Sequence, residues 1–516
     1  MPHISPRPLP AEEKVPATGL GSRSLSAVIW GGGGALVRIL LQMGTQIVLA
    51  RILGPEQYGL FAIAAVVIGF SGFFSDVGIA YGLIQKQDVS AHDLRFVFTW
   101  QLIIGTLVSA AIVLLSGPIA AFFGEAKAQE IVSVLAVVCL LNALMAPAQN
   151  MLKRELNIRR IQLANIAGYV GGYVAVGVPL ALSGAAVWAL VASWIVQVSI
   201  TLLILYAGVR HPLQPLFWFV GGGQLMRYGG TVLITNITNW VIGNIERVVI
   251  GRYFASREIG LYATSYNLIN GPVSSLLGVV QPVFFSAASR IADQRERLVE
   301  VYLGIVALTA LVVLPLFASV SAVADTLVLA LYGAKWVEAG VLLSPLSLAI
   351  PLLLFWGLTT PLLWIGGAPE REFRVQLPMA LLWVAISWAA AQHSLEAVAW
   401  SVVLLFALRF ALIFFAARQL LPISFAGLWR ACRGGLLLAM ICASIAAASD
   451  GWLRAEGLPA FVRLLIDAAL AAAVYLLLLM KLPGIIPGHC GELLTRLAAR
   501  CPAPLGCWLG RLPVMG

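Results

Sequence analysis

Polar side chains recur at helical spacing inside stretches that are otherwise apolar, and these are the residues of the chain with chemistry to do. Arg38, Gln42, Thr45 and Gln46 follow i, i+4, i+7, i+8 and share one face of residues 25–50. Residues 227–251 are more polar still, with Thr231, Thr235, Asn236, Thr238, Asn239, Asn244, Glu246 and Arg247. An arginine in hydrocarbon costs about 2.5–3.5 kcal/mol on the insertion scale, so each one needs a reason. One reading is a wet, hydrogen-bonding cavity lined by Arg38, Gln42, Thr45, Gln46, Asn239 and Arg247. The plainer reading is that such groups satisfy one another between helices. That suffices for a lone Asn or Thr, whereas a repeated stripe with arginine at two depths favours the cavity. Asp76 and Glu246 are the acidic members of the set. Each is either an ion-coupling site or the counter-ion of an arginine, Arg38 for Asp76 and Arg247 for Glu246. Arg409, close to the end of its apolar run, is expected to snorkel to the surface.

The elements that must position these groups are membrane spans. Residues 25–50 and 227–251 are the first and seventh of about fourteen apolar stretches long enough to cross a bilayer. The others centre on 58–84, 96–116, 130–152, 161–182, 185–207, 260–285, 301–323, 339–365, 375–392, 395–417, 431–449 and 460–481. The segments that follow the first and the seventh echo each other at an offset of 201: Arg51, Gly59, Leu60, Phe61 and Ala62 match Arg252, Gly260, Leu261, Tyr262 and Ala263. A fainter echo at 214 pairs Pro147, Arg160 and Gln162 with Pro361, Arg374 and Gln376. A membrane chain that repeats itself after six spans is built as two lobes around a central path, and a path implies a transporter. The expected organisation is a disordered leader (1–24), an N-lobe (25–208), a C-lobe (209–418), an extra pair of spans (419–481) and a cytoplasmic tail (482–516). The run Gly31 to Gly34 permits either a hinge or close helix packing.

Composition sets the class. The chain is 60% hydrophobic and 11% charged, with mean hydropathy +0.93, an all-α integral membrane protein rather than a soluble one. Its net charge of +10 does not point to nucleic acid, because the charge is sorted by side. With the N-terminus inside, 23 of the 33 Lys and Arg residues fall in cytoplasmic segments and seven in outer ones. That positive-inside bias puts both termini in the cytoplasm, with Lys153 to Arg160 as its strongest anchor. No phosphate-loop signature, His-Glu-x-x-His or Gly-x-Ser-x-Gly occurs, so neither a nucleotide, another cofactor, a metal nor catalysis is expected. The six cysteines form no Cys-x-x-Cys pair and are read as free thiols.

Several short stretches give the chain a family likeness. They are Ala50 to Leu60, Phe74 to Gly78, Gly82 to Gln87, Ala120 to Glu125, Lys153 to Leu156, Asn244 to Gly251, Gly260 to Tyr262, and Tyr332-Gly-x-x-Trp336. In this order the chain resembles bacterial polysaccharide and O-antigen flippases of the multidrug/oligosaccharidyl-lipid/polysaccharide exporter superfamily, nearest the colanic-acid-exporter branch. The resemblance implies two six-span lobes plus two extra spans. It also implies export of an undecaprenyl-pyrophosphate-linked oligosaccharide across the bacterial inner membrane, alongside the pathway's glycosyltransferases and polymerase. The residues suit that cargo: arginine grips phosphate oxygens bidentately, Asn and Thr suit a sugar, and the tail needs a lateral opening. Two other readings compete. One is a drug or amphiphile exporter on the same fold, which an acidic, aromatic cavity would favour. The other is a membrane polymerase or ligase of lipid-linked sugars, which would need a long outer catalytic loop.

Overall fold

The computed structural model describes residues 17–75, 89–209, 214–218, 240–241 and 243–481, and every regular element among them is helical. The N-terminal group is α1 (Ala17–Leu53), α2 (Pro55–Ser75), α3 (Ala91–Phe123), α4 (Ala128–Arg154), α5 (Ile158–Leu182) and α6 (Trp188–Tyr206). The second group is α7 (240–241 and 243–253), α8 (Ser256–Ser289), α9 (Arg295–Ala322), the short α10 (Ala324–Tyr332), α11 (Ala339–Ile365), α12 (Pro369–Ala391) and α13 (Leu395–Arg418). A final pair, α14 (Phe425–Ala455) and α15 (Ala460–Lys481), packs along α9 and α10.

Eleven of these helices are long and apolar enough to cross a membrane. They account for eleven of the fourteen expected spans. Of the rest, 58–84 and 227–251 run into residues outside the description, and 260–285 falls within α8, a 34-residue helix. Helix starts follow capping chemistry. Ser90 and Asp93 form a reciprocal capping box at the start of α3, while Ser394 and Ser424 accept from the backbone N–H groups of Ala397 and Gly427. Pro378 lies inside α12 without ending it. Helix α1 begins at Ala17, so residues 17–24 belong to its first turns rather than to a disordered leader. Once a span has nucleated a helix, each added residue costs little. The glycine run does not interrupt α1, and Gly34 packs against Gln162 of α5.

The sequence repeat has a structural purpose at the end of the bundle where α1 turns into α2 and α7 into α8, here called the motif end. Gly59 on α2 and Gly260 on α8 lie at the crossing of the two lobes. A Cβ on Gly59 would sit 1.6 Å from the Ser256 carbonyl oxygen, and one on Gly260 1.9 Å from that of Pro55. Only glycine allows backbones this close. The adjoining Leu60 and Leu261 are both 2% exposed. A third internal echo is visible only in three dimensions. Gly124 ends α3 and Gly333 ends α10, both at positive φ (70° and 87°), and both turns pack at the motif end.

Candidate functional site

Where the lobes face each other, α1, α2, the end of α3, α7 and α8 enclose a cavity of about 160 Å³. Its polar wall is supplied by Gln46 from one lobe and by Asn244, Arg247, Thr264 and Asn267 from the other; Tyr58, Phe61, Phe123, Trp240 and Tyr262 make its aromatic wall. Arg247 lies with its guanidinium carbon 4.7 Å from the centre of the Tyr266 ring and donates to Asn267 Oδ1 at 3.4 Å. Its Nε, the Thr264 hydroxyl and the Tyr262 hydroxyl have no partner among the described residues. Three unsatisfied groups around one cavity are costly unless a ligand or water completes them. Arg247 is the one charged side chain in the wall among the described residues.

The sequence-derived candidates are not all brought here. Gln46 and Arg247, which the 201-residue offset superposes, do meet across the cavity. Thr45, 7% exposed, points the other way and lies within hydrogen-bonding reach of Tyr169 on α5. The Gln42 carbonyl accepts from the Tyr169 hydroxyl at 3.5 Å. Arg38 is half-buried further along α1, with its Nε unpartnered among the described residues. Asp76 and Asn239 lie outside the described residues. Glu246 is 2% exposed and turned from the cavity into the C-lobe, beside Tyr262 and Trp383. Adjacent positions on a helix point about 100° apart, so Glu246 and Arg247 face different surroundings while their charges still act on each other.

Arg409 does not snorkel. It is 5% exposed, 3.6 Å over the Trp356 ring, and donates to Gln376 Oε1 at 3.4 Å. The chain of contacts continues through Glu372 to the Trp364 indole. Cation–π contact with an amide alongside makes the C-lobe interior an acceptable site for that guanidinium. The α8 residues Thr264 and Asn267 were not singled out from sequence. Their signal is two polar residues at a three-residue spacing inside an expected span.

The motif end is closed by a set of contacts between the lobes. Arg51 donates to the carbonyls of Ala330 and Leu331 at the end of α10. The Trp336 indole, fully buried, donates to the Ala50 carbonyl at 2.9 Å, and Lys335 to that of Ile52 at 3.1 Å. In the other direction Glu125 Oε1 accepts from the Ser256 N–H at 2.8 Å.

A two-lobed helical bundle with this cavity has known relatives. The family model described as polysaccharide biosynthesis protein matches residues 48–340, more than half of the chain. The chain belongs to the polysaccharide biosynthesis protein family. It is 25% identical over 365 residues to the succinoglycan biosynthesis transport protein ExoT of Rhizobium meliloti, covering 67% of this chain and 74% of that one. It is 24% identical over 417 residues to the teichuronic acid biosynthesis protein TuaB of Bacillus subtilis, covering 80% and 86%. Among solved structures, the lipid II flippase MurJ in an inward closed conformation superposes with TM-score 0.68 at 12% identity, over 89% of this chain and 97% of that one. That likeness establishes the fold, all-α and membrane-embedded, which the sequence implied. The family agrees with the polysaccharide-exporter resemblance.

Proposed function

We propose that the protein is a flippase that moves a lipid-linked oligosaccharide, carried on an anionic polyprenyl pyrophosphate, from the inner to the outer leaflet of the bacterial cytoplasmic membrane. The observation that carries this reading is Arg247 in the wall of an inter-lobe cavity, flanked by amides and hydroxyls. A cation with a planar fork suits a phosphate, and unsatisfied hydroxyls suit a sugar. The family and the names of the relatives, a succinoglycan transport protein and a teichuronic acid biosynthesis protein, agree with a saccharide cargo. A cavity of about 160 Å³ is below the ~300 Å³ at which drug-sized ligand pockets begin. The conformation is therefore a closed one, and loading requires the lobes to part. Alternating tilts of the two lobes, with both termini in the cytoplasm, would open the path to each leaflet in turn. An ion gradient, or supply and removal of cargo, drives the cycle. Glycosyltransferases that build the repeat unit act before it, and a polymerase acts after it.

A drug-exporter reading fits the aromatic wall but not its charge, since Arg247 is the one charged residue lining the cavity among the described residues and the neighbouring Glu246 is not part of its wall. Deleting the gene tests the proposal. Lipid-linked oligosaccharide should accumulate on the cytoplasmic leaflet and surface polysaccharide should disappear, with unchanged export of cationic dyes. Normal polysaccharide with impaired dye export would transfer the assignment to the drug-exporter reading.

A further inference from the structure

A second space adjoins the polar cavity, and its chemistry is the opposite. Between α2, α3 and α7 lies a cleft of about 770 Å³ that opens sideways from the bundle. Its walls are almost wholly aliphatic and aromatic, among them Val67, Phe70, Ile112, Leu115, Ile245 and Val248. Along α3 it extends from Val108 to Phe123, about 22 Å at the helical rise, most of a hydrocarbon core of about 30 Å. At the motif end it is shut, where Gly251 of α7 packs on the Phe123 ring and Arg252 lies 5.7 Å over Phe122.

Cleft and cavity are neighbours through a thin partition. Both are lined by Val66, Phe123 and Trp240. The Trp240 ring leans on Phe70 with centroids 4.8 Å apart, over the bare backbone of Gly69. Helix α7 sorts the two spaces by face: Trp240, Asn244, Arg247 and Ile250 line the cavity, while Val241, Ile245 and Val248, one residue out of step, line the cleft. An amphiphile with an anionic head beside Arg247 could thus lay its chain in the cleft once the Trp240–Phe70 contact in that partition opens.

We propose that the cleft between α2, α3 and α7 is the lateral port for the hydrocarbon chain of the transported lipid, with Trp240 and Phe70 as its gate. The proposal rests on the flippase reading and adds the route of the tail. Charge complementarity at Arg247 and the adjacency of the two spaces across a thin partition select the substrate's own chain over a bulk lipid, whose head would have no reason to stay.

The test is photolabelling of the full-length protein in phospholipid nanodiscs. The probe is polyprenyl pyrophosphate with a diazirine in its isoprenoid chain, mapped by mass spectrometry; phosphatidylcholine with a diazirine-bearing acyl chain is the reference. Adducts from the pyrophosphate probe should fall on residues 108–119 and 241–248. They should drop about tenfold in Arg247→Gln, a change of the size expected for losing one charge-assisted contact. Ala111→Trp with Leu115→Trp, both at exposed positions, should block the cleft and remove the adducts there. Labelling of the cleft that is insensitive to Arg247→Gln and matched by phosphatidylcholine would mean that only bulk lipid enters, and the port is wrong. Adducts that depend on Arg247 but fall on α1 and α8 would overturn the port while leaving the flippase reading intact. Loss of every Arg247-dependent adduct, wherever mapped, would remove the flippase reading and the port with it.

Discussion

Arg247 and Arg409 are both arginines at membrane depth, and their surroundings assign them different work. Arg247 borders empty space, whereas Arg409 is packed between Trp356 and Gln376, although the Nε of each lacks a partner among the described residues. Arg247→Ala should therefore abolish export at normal protein abundance, and Arg247→Lys should restore only part of it, because an ammonium lacks the fork. Surface polysaccharide normalised to protein level reads this out. Arg409→Ala should instead lower thermal stability in detergent by about 2 kcal/mol, the scale of a desolvated cation–π contact, with export falling only in step with abundance. Sequence alone marked both residues as anomalies and set Arg409 apart only as one expected to snorkel, which its burial overturns. Hydropathy gives depth along a helix; the direction a side chain faces comes from the neighbours it packs on. The same reason explains Thr45 and Gln46: adjacent on one stripe, they face α5 and the cavity respectively. For Asp76 the pairing expectation gives a sharp assay. If it neutralises Arg38, Asp76→Asn should lower abundance and Arg38→Gln should restore it. If it couples an ion, Asp76→Asn should leave abundance alone and make export indifferent to an uncoupler.

Among the elements, α2 and α8 were legible in sequence as a repeat without their reason being legible. The shared Gly-Leu-aromatic-Ala pattern marked equivalent places, and the crossing of Gly59 over Ser256 and of Gly260 over Pro55 explains why each place demands glycine. Because the obstacle is main-chain carbonyl rather than a flexible side-chain tip, even one methyl group forces the helices apart. Gly59→Ala and Gly260→Ala should each destabilise the folded protein by about 1–3 kcal/mol, the usual range for overpacking, measured by melting in detergent. The exposed-loop glycines Gly184 and Gly457, which no atom crowds, lack this steric demand. The echo between Gly124 and Gly333 went unread because the turns share a place at the motif end and a positive φ more than composition: Phe122-Phe123-Gly124 against Leu331-Tyr332-Gly333 is a faint match.

At the level of the whole molecule, positive-residue bias makes an orientation prediction that the helix ends now sharpen. Reporter fusions after Arg160 and after Arg297 should score cytoplasmic, and one after Arg257, at the motif end, periplasmic. With that orientation the closed motif end is the outer gate. Bridging Glu125→Cys to Ser256→Cys with a short reducible cross-linker, in a chain otherwise free of cysteine, should stop export, and thiol reductant should restore it. Unimpaired export by the cross-linked protein would show that the lobes do not part there. Two lobes and a polar seam were visible from composition and repeat, as were most of the spans. The closure itself was not, since it joins residues about 280 positions apart in sequence.

The gate contacts share a chemical habit that sets how the gene can drift. Arg51, Trp336 and Lys335 all donate to main-chain oxygens, and Glu125 accepts from a main-chain N–H. A peptide group offers its oxygen or hydrogen whatever side chain its residue carries, so recognition here is one-sided. A saturation scan of export should find the donors Arg51 and Trp336 intolerant. Their receiving partner Leu331 and the neighbouring Ile52 should accept most substitutions of similar size. A gate built this way can change half of its residues without losing its fit, and two distant relatives could close identically while agreeing at only one side of each contact.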